Sequence, residues 1–283
     1  MIDPYPTRLP HAAVPIPRIE PTVWGTANDG PLDQGALDGY SNAGHLLQPN
    51  TVAGGRRAEL DDELRHIAAS IDTTDPRIIR EADGSIRSIF EPHLISAAVK
   101  QMTELDTVLP IAQQILGGEV YIHQARINYM SAFTSTGFYW HSDFETWHAE
   151  DGMPTMRAVS CVIALTDNYP HNGTLMTING TNSTFYPCVG ATPDDNHATS
   201  LAGQTIGVPD HETLTRAATQ GINQFVGPAG TGFWFDCNTL HGSNSNITPF
   251  PRSNLFLVFN SVDNRLVEPF AAPKPRPSYL GAR

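Results

Sequence analysis

Trp140 to Pro154, WHSDFETWHAEDGMP, is the stretch around which the rest of the chain is organised. His141 and Asp143 stand near its start with one residue between them. Because side chains two residues apart on a β-strand project from the same face, we expect this imidazole and this carboxylate to point at one spot. His241, within FDCNTLHGSN, supplies a third candidate ligand far downstream. Together the three side chains predict a metal centre.

Two histidines and one carboxylate bind one face of a metal ion and leave the opposite face open, an arrangement typical of non-haem Fe(II) oxygenases. Zinc is the competing metal, because catalytic zinc sites also use two histidines and a carboxylate. The spacing does not exclude zinc, and a His-x-Asp pair alone is common by chance. The prediction of an iron site therefore depends on the third ligand and on an arginine that follows it.

Arg252 follows His241 by eleven residues, on a stretch flanked by apolar residues. An iron-bound keto acid such as 2-oxoglutarate has a far carboxylate that needs a fixed cation, and the planar fork of arginine can hold both carboxylate oxygens. We therefore assign Arg252 to the cosubstrate, with Asn128 as a second donor; the ordinary alternative for an arginine is a surface salt bridge. With O2, such a site would oxidise the keto acid to succinate and CO2 and hydroxylate a nearby C–H.

Aromatic residues flank the predicted ligands. Phe138 and Trp147 lie on either side of the His-x-Asp pair, and Phe256 lies on the last predicted strand. We expect them to shape a pocket that excludes water, although core packing is the usual role of such residues. A tryptophan near the metal can also present its π face to a cationic substrate. In an extended segment His148 would point away from Trp147, so we do not interpret it as a fourth ligand.

Composition limits the classes of function. The chain has 17 basic and 29 acidic residues and a net charge of −12, which disfavours nucleic acid and anionic membranes as partners. No apolar run approaches a membrane span, and the N-terminal MIDPYPTRLPHAAVPIP has no apolar signal core. The three cysteines, an odd number without a CxxC motif, indicate reduced thiols in a cytoplasmic protein: Cys161, Cys188 and Cys237.

The order of predicted elements indicates the fold class. Residues 1 to about 31 form a proline-rich arm that should be extended and pack on the body. The predicted helices cover residues 34–44, 58–71, 92–105, 110–117 and 210–220, a hairpin covers 78–90, and strands cover 120–129, 157–165, 175–178, 232–236 and 255–260. Helices first and short strands later predict one catalytic domain over residues 1–283, mainly β with packed helices, built as a barrel or jelly roll.

The strand over residues 120–129 has an unusual face. Its even-numbered positions include Gln124, Arg126 and Asn128, although a strand in this place should be buried. Polar side chains on an inward face are costly unless they bind something. This strand is therefore predicted to line a binding site.

Longer segments of the chain resemble a known family. WHSDFETWHAEDGMP, MRAVSCVIALTDN, FDCNTLHGSNSNITPFPRSN and PRPSYLGAR, with YPTR, RSIFEPH and QARINYM, are similar to the ectoine hydroxylases of the phytanoyl-CoA dioxygenase-like superfamily. The resemblance covers most of the chain. It implies a double-stranded β-helix (jelly-roll, cupin-like) core, Fe(II), 2-oxoglutarate and O2. The implied reaction is 5-hydroxylation of ectoine with release of succinate and CO2, in a cytoplasmic homodimer.

The resemblance also assigns residues to roles. It implies iron binding by His141, Asp143 and His241. The cosubstrate would be held by Arg252, Asn128, Phe138 and Ser160. The substrate pocket would be lined by Gln124, Trp147, Asn254 and Phe256 and covered by Arg276. The zwitterionic substrate suits these residues, because a tryptophan face attracts its delocalised cation and an arginine binds its carboxylate.

The sequence departs from the family pattern at two places. Residues 179–182 read NGTN where many members carry Pro-Gly-Ser-His, which predicts altered loop geometry. Met130 stands where many members have lysine near the cosubstrate, which predicts weaker 2-oxoglutarate binding. Three other functions stay open at this point: a hydroxylase of another small amino acid such as free L-proline, a metal-bearing barrel that binds a solute without oxidising it, and a zinc hydrolase.

Overall fold

Two antiparallel sheets frame the molecule in the computed structural model, which describes residues 3–53, 60, 63, 66–67, 70, 72, 74–81, 83–201 and 203–283. Within these residues the larger sheet has the order β2-β11-β7-β13-β5-β4-β3, the smaller has β10-β8-β12-β6, and β1 pairs with β9. The strands are β1 Ile16–Pro17, β2 His45–Gln48, β3 Ile78–Arg80, β4 Ile86–Phe90, β5 Val120–Met130, β6 Phe138–His141, β7 Ala158–Ala164, β8 Leu175–Ile178, β9 Thr184–Phe185, β10 Ile222–Gln224, β11 Gly232–Asp236, β12 His241–Ser243 and β13 Arg252–Ser261. This is the mainly β jelly-roll class that the sequence predicted.

Alternation along the central strands separates two environments. On β13, Leu255, Leu257 and Phe259 pack into the hydrophobic cluster under the helices, whereas Phe256 lines a cavity between the two sheets. The same alternation on β5 turns Gln124, Arg126 and Asn128 toward that cavity, as predicted; their neighbours Ala125 and Ile127 join the cluster. One face of the larger sheet therefore forms the core and the other forms a binding site.

Among the described residues, the helices follow the predicted order, but one predicted helix is divided in two and two short helices, over residues 143–146 and 197–200, were not predicted. They are α1 Gln34–Ala43, α2 Pro92–Ile95, α3 Ala97–Thr103, α4 Leu109–Leu116, α5 Asp143–Thr146, α6 His197–Ser200 and α7 His211–Ala218. The single helix predicted over residues 92–105 is wrong, because Ser96 is extended and its hydroxyl caps α3 by accepting from the Val99 amide. The predicted helix over residues 58–71 lies largely outside the described residues. No helix in the described ranges is long and apolar enough to cross a bilayer.

The proline-rich arm is fixed to the barrel by a buried ion pair. Arg18 Nη1 lies 2.8 Å from Asp236 Oδ1, with both side chains no more than 3% exposed. Strand β1 of the same arm pairs with β9. The arm therefore covers the barrel, and removing one partner of this pair would leave a buried charge without compensation.

Asp236→Asn is expected to lower the free energy of unfolding by about 3–5 kcal/mol, because it leaves the Arg18 guanidinium unpaired. Chemical denaturation measures the change. The matched control is Asp263→Asn, whose carboxylate pairs with Arg157 at 3.3 Å but is 69% exposed; we expect a change below about 1 kcal/mol there. Equal decreases in the free energy of unfolding of the two variants would contradict a stabilising role of the Arg18–Asp236 pair.

Candidate active site

His141, Asp143 and His241 converge at one end of the cavity. Strands β6 and β12 pair so that the two histidines stand opposite each other, with ring centroids 4.2 Å apart. Asp143 Oδ1 lies 3.7 Å from His141 Nε2, and Asp143 Oδ2 lies 3.8 Å from His241 Nε2. Two atoms that each bond one ion at about 2.1 Å can stand up to about 4.2 Å apart, so one metal ion can reach all three side chains.

Hydrogen bonds fix the tautomer of both histidines. Nδ1 of His141 donates to the Tyr139 carbonyl at 2.7 Å, and Nδ1 of His241 donates to the Thr239 carbonyl at 3.0 Å. Each Nε2 is therefore the unprotonated nitrogen and is turned toward Asp143. Within the described part of the chain, His241 Nε2 and Asp143 Oδ2 are buried and have no hydrogen-bond partner. A metal ion would satisfy these atoms.

The charges at the centre favour metal binding. Burial lowers the pKa of His141, and burial together with the neighbouring His141 lowers the pKa of His241 to about 4, so both rings are neutral at pH 7. Burial would raise the pKa of Asp143, but His241 and Arg126 hold it below its ordinary value. Two neutral imidazoles and one carboxylate are the protonation states that metal ligation requires.

The local structure around Asp143 differs from the prediction. The His-x-Asp pair does not lie on one strand, because β6 ends at His141 and α5 begins at Asp143, with the Ser142 hydroxyl as its N-cap. Residues Trp147–Asp151 continue α5 as a π-helical turn. The predicted convergence still occurs, but it results from a strand-to-helix junction. The extended interpretation of His148 was wrong; its two ring nitrogens contact Met153 O and Asp3 Oδ1.

The helical continuation forms one wall of the cavity. Asp143, Thr146, Trp147 and Glu150 all line it, at the i, i+3, i+4, i+7 positions that share one face of a helix. The segment from Trp140 to Pro154 therefore carries both a metal ligand and the aromatic wall of the cavity.

Arg252 is positioned as an anion-binding residue. It lines the cavity, is 3% exposed, and its Nε is buried without a partner among the described residues. Burial lowers its pKa to about 9. Arg252 Nη1 donates to Asn254 Oδ1 at 2.7 Å. In this orientation of the Asn254 amide, Asn254 Nδ2 donates to Asn168 Oδ1. A buried guanidinium in this state fits a ligand carboxylate such as the distal carboxylate of 2-oxoglutarate.

The cavity contains most, but not all, of the predicted site residues. The lining includes all three metal residues, Asn128, Phe138 and Arg252 from the cosubstrate set, and Gln124, Trp147, Phe256 and Arg276 from the substrate set. Ser160 is fully buried on β7 with its hydroxyl unpaired, and it is not part of the lining. Asn254 also lies behind the lining, on Arg252. The positions of the lining residues agree with the prediction, and the roles of all the predicted cosubstrate and substrate residues stay predictions.

Arg126 is a site residue to which the sequence reasoning gave no role. It lines the cavity between the metal centre and the substrate residues, with its guanidinium 4.6 Å from the centre of the Phe256 ring. Its Nη1 donates to Gln124 Oε1. Burial lowers its pKa, so it also favours an anion nearby. The position of Arg126 between Gln124 and Asn128, on the polar face of β5, could have identified it as a site residue from the sequence.

The C-terminal tail contributes Arg276 to the cavity lining. Arg276 binds Asp151 through two hydrogen bonds, from Nε at 2.8 Å and Nη2 at 2.6 Å. The Leu280 carbonyl accepts from Gln124 Nε2 at 2.7 Å. Burial would raise the pKa of Asp151, but Arg276 keeps it below its ordinary value. The tail is therefore attached to both the helical wall and β5.

Comparison with known proteins agrees with this geometry. A family model described as phytanoyl-CoA dioxygenase (PhyH) matches residues 40–254. An ectoine dioxygenase of Nocardia farcinica is 54% identical over 285 residues, covering 100% of this chain and 94% of that protein. The crystal structure of EctD from S. alaskensis with 2-oxoglutarate and 5-hydroxyectoine gives a TM-score of 0.89 at 40% identity, covering 100% of this chain and 95% of that one. EctD from S. alaskensis with bound Fe gives 0.87 at 39% identity, covering 99% and 94%.

A jelly-roll barrel with two histidines and one carboxylate at the end of a cavity defines the class of non-haem metal oxygenases. This chain belongs to the phytanoyl-CoA dioxygenase family and to its ectoine dioxygenase group. The predicted family and fold class are thereby confirmed.

Proposed function

We propose that this protein is an Fe(II)- and 2-oxoglutarate-dependent dioxygenase that hydroxylates ectoine to 5-hydroxyectoine, with release of succinate and CO2. The observation that carries the proposal is one cavity that holds the His141–Asp143–His241 centre and the buried Arg252, which has no carboxylate partner among the described residues. The ectoine dioxygenase relatives, alike over the full chain, support the substrate.

The metal end of the cavity binds and orients the cosubstrate. His141, Asp143 and His241 would hold iron on one face, and bound iron with 2-oxoglutarate and O2 supplies the oxidant that converts C–H to C–OH. Arg252 would bind the distal carboxylate of 2-oxoglutarate, with Asn128 and Phe138 beside it. The predicted contact of Ser160 is retained as a proposal, although this residue lies outside the lining. The Asn128 side chain is preoriented, because its Oδ1 accepts from Ser88 Oγ at 2.8 Å.

The opposite end of the cavity binds the substrate. The Trp147 ring, 2% exposed, would stack on the delocalised cation of ectoine. Arg276 donates to Asp151 through Nε and Nη2. Its Nη1 has no hydrogen-bond partner among the described residues, and we assign this nitrogen to the substrate carboxylate. Gln124 and Phe256 would complete the pocket. Asn254, predicted for the same pocket, lies behind the lining and contacts Arg252. Burial of these groups excludes water from the reacting C–H.

The same proposal covers the finer properties of the protein. We assign the whole chain, including the N-terminal arm, to one dioxygenase domain, because the arm is joined to the barrel by buried ion pairs. Three buried free cysteines support a reducing, cytoplasmic setting. A net charge of −12 argues against nucleic-acid and membrane partners. A homodimer and a role in osmotic stress follow from the family resemblance, as does weaker cosubstrate binding at Met130.

The test is aerobic incubation of the purified protein with Fe(II), 2-oxoglutarate and ectoine, followed by mass spectrometry. We expect ectoine to gain one oxygen atom and succinate to form in equal amount. Turnover of free L-proline without turnover of ectoine would show that the substrate is a different small amino acid. Activity with zinc and without O2 would show that the protein is a hydrolase. Ectoine binding without succinate formation would show that the protein binds the solute without oxidising it.

Trp147→Ala is expected to raise the KM for ectoine by roughly 10- to 100-fold, because a desolvated cation–π contact contributes about 2 kcal/mol and each 1.4 kcal/mol is tenfold. Iron content and the KM for 2-oxoglutarate should stay near those of the unchanged protein. Trp24→Ala is the matched control, because that ring stacks on Arg157, outside the cavity lining. Loss of iron in Trp147→Ala would show that this residue supports the metal centre.

A further inference from the structure

Glu150 is a buried carboxylate in the cavity wall that the proposed mechanism does not use. It lies on the helical face of Asp143, Thr146 and Trp147, one turn beyond the tryptophan, and it is 2% exposed. A buried carboxylate is costly unless it is paired. Its partners therefore indicate what else it can bind.

The partners of Glu150 leave one negative charge without compensation. Arg8 binds Glu145 through two hydrogen bonds, at 2.7 and 2.9 Å, which occupy both Glu145 oxygens. The same guanidinium reaches Glu150 Oε1 through Nη2 at 3.1 Å. All three side chains are at most 3% exposed. One cation therefore serves two carboxylates, and Glu150 is the more weakly bound of the two.

Other nearby cations are already paired. Arg276 is held by Asp151, and Lys274 binds Asp195 at 2.8 Å. Burial, and then Arg276, lower the pKa of His197, so this ring is neutral at pH 7. Glu150 Oε1 accepts a further hydrogen bond from Asn196 Nδ2, whereas Oε2 has no hydrogen-bond partner among the described residues. The free oxygen belongs to a residue of the cavity lining.

We propose that Glu150 is the anionic half of a subsite for the substrate's cationic ring: its Oε2 accepts a hydrogen bond from a protonated amidine N–H, while Trp147 stacks on the ring face. The ligand class is a small amidinium zwitterion, whose carboxylate goes to Arg276, which also lines the cavity. This inference rests on the proposed function and adds a specificity-determining residue to it. The excess charge of the Arg8–Glu145–Glu150 group then serves to attract the cation.

The test is Glu150→Gln in the full-length, iron-loaded enzyme. Glutamine keeps the acceptor for Arg8 and Asn196 and removes the charge, so we expect the KM for ectoine and its Kd under anaerobic conditions to rise roughly 10- to 100-fold. The KM for 2-oxoglutarate and the iron content should be unchanged. Glu150→Asp, which keeps the charge on a shorter side chain, should give an intermediate KM and serves if Glu150→Gln does not fold.

Glu145→Gln is the matched control. It removes the same charge from the same buried group, but Glu145 does not line the cavity. We expect lower thermal stability with an ectoine KM within about threefold of the unchanged protein. An unchanged ectoine KM in Glu150→Gln, or equal increases in both variants, would overturn the subsite. Absence of ectoine binding in the unchanged enzyme would instead overturn the proposed function.

Discussion

His141→Ala is expected to lower ectoine-dependent succinate formation by on the order of a thousandfold or more, because it removes one of the three ligands that hold the metal. Among the described residues, His141, Asp143 and His241 are the group of possible ligands that lie together, so we expect no other such side chain to take the vacated position. Iron content after gel filtration and succinate yield measure the effect.

The control for this variant is His211→Ala, which deletes an exposed imidazole at the start of α7. It should retain full iron content and turnover. A His141→Ala protein that keeps both iron and turnover would show that the metal is held elsewhere. A protein that keeps iron but loses turnover would indicate that the remaining two ligands bind the ion in an unproductive geometry.

Arg252→Met is expected to change stability and cosubstrate binding in opposite directions. Without cosubstrate, the Arg252 guanidinium is buried, and burial lowers its pKa to about 9. A methionine of similar length avoids this desolvation, so the cosubstrate-free variant should be more stable by about 1–4 kcal/mol. The KM for 2-oxoglutarate should rise by about 100-fold or more, because a buried charge-assisted, bidentate contact is lost.

Thermal denaturation with and without 2-oxoglutarate separates the two effects. The cosubstrate should raise the Tm of the unchanged protein and leave that of Arg252→Met unaltered. Arg157→Met is the matched control, because Arg157 pairs with the exposed Asp263 and stacks on Trp24. It should keep the ordinary KM for 2-oxoglutarate. A less stable Arg252→Met protein would mean that Arg252 has a structural partner that compensates its charge.

Continuous apolar runs made the central strands predictable. The strands around Cys161, Phe235 and Leu257 are buried on both faces, and β5 combined a period-two pattern with polar residues on one face. That combination identified the cavity-facing side of β5 correctly. Strands β6 and β12, four and three residues long, are too short to give a period, although they carry both histidines.

The helical wall could have been predicted and was not. Ser142 is an N-cap residue type, and Asp143, Thr146, Trp147 and Glu150 have helical spacing. The His-x-Asp spacing suggested a strand because a strand and a strand-to-helix junction can bring the same two side chains together. The convergence of ligands was therefore predicted for an incorrect local reason.

Other features depend on contacts that no local pattern encodes. Arg8 meets Glu145 across 137 residues, and Arg276 meets Asp151 across 125. The sequence shows that these groups are charged, but the choice of partner is made only when the arm and the tail pack on the barrel. The break at Ser96 is similar, because a continuous helical pattern is interrupted where the chain turns to follow the sheet.

The single helical face shared by the metal ligand and the substrate wall constrains how such an enzyme can diversify. Each residue advances an α-helix by about 100°, and Asp143–Thr146 is α-helical before the π-helical turn at Trp147–Asp151. One residue inserted between Asp143 and Trp147 would therefore turn Trp147 away from its present direction while the ligand stays in place. Such a protein would keep its metal ligands but lose its substrate wall. Exchange of side chains along this face can therefore change the substrate without moving the metal ligand, whereas a change in the length of the helix displaces the wall from the ligand.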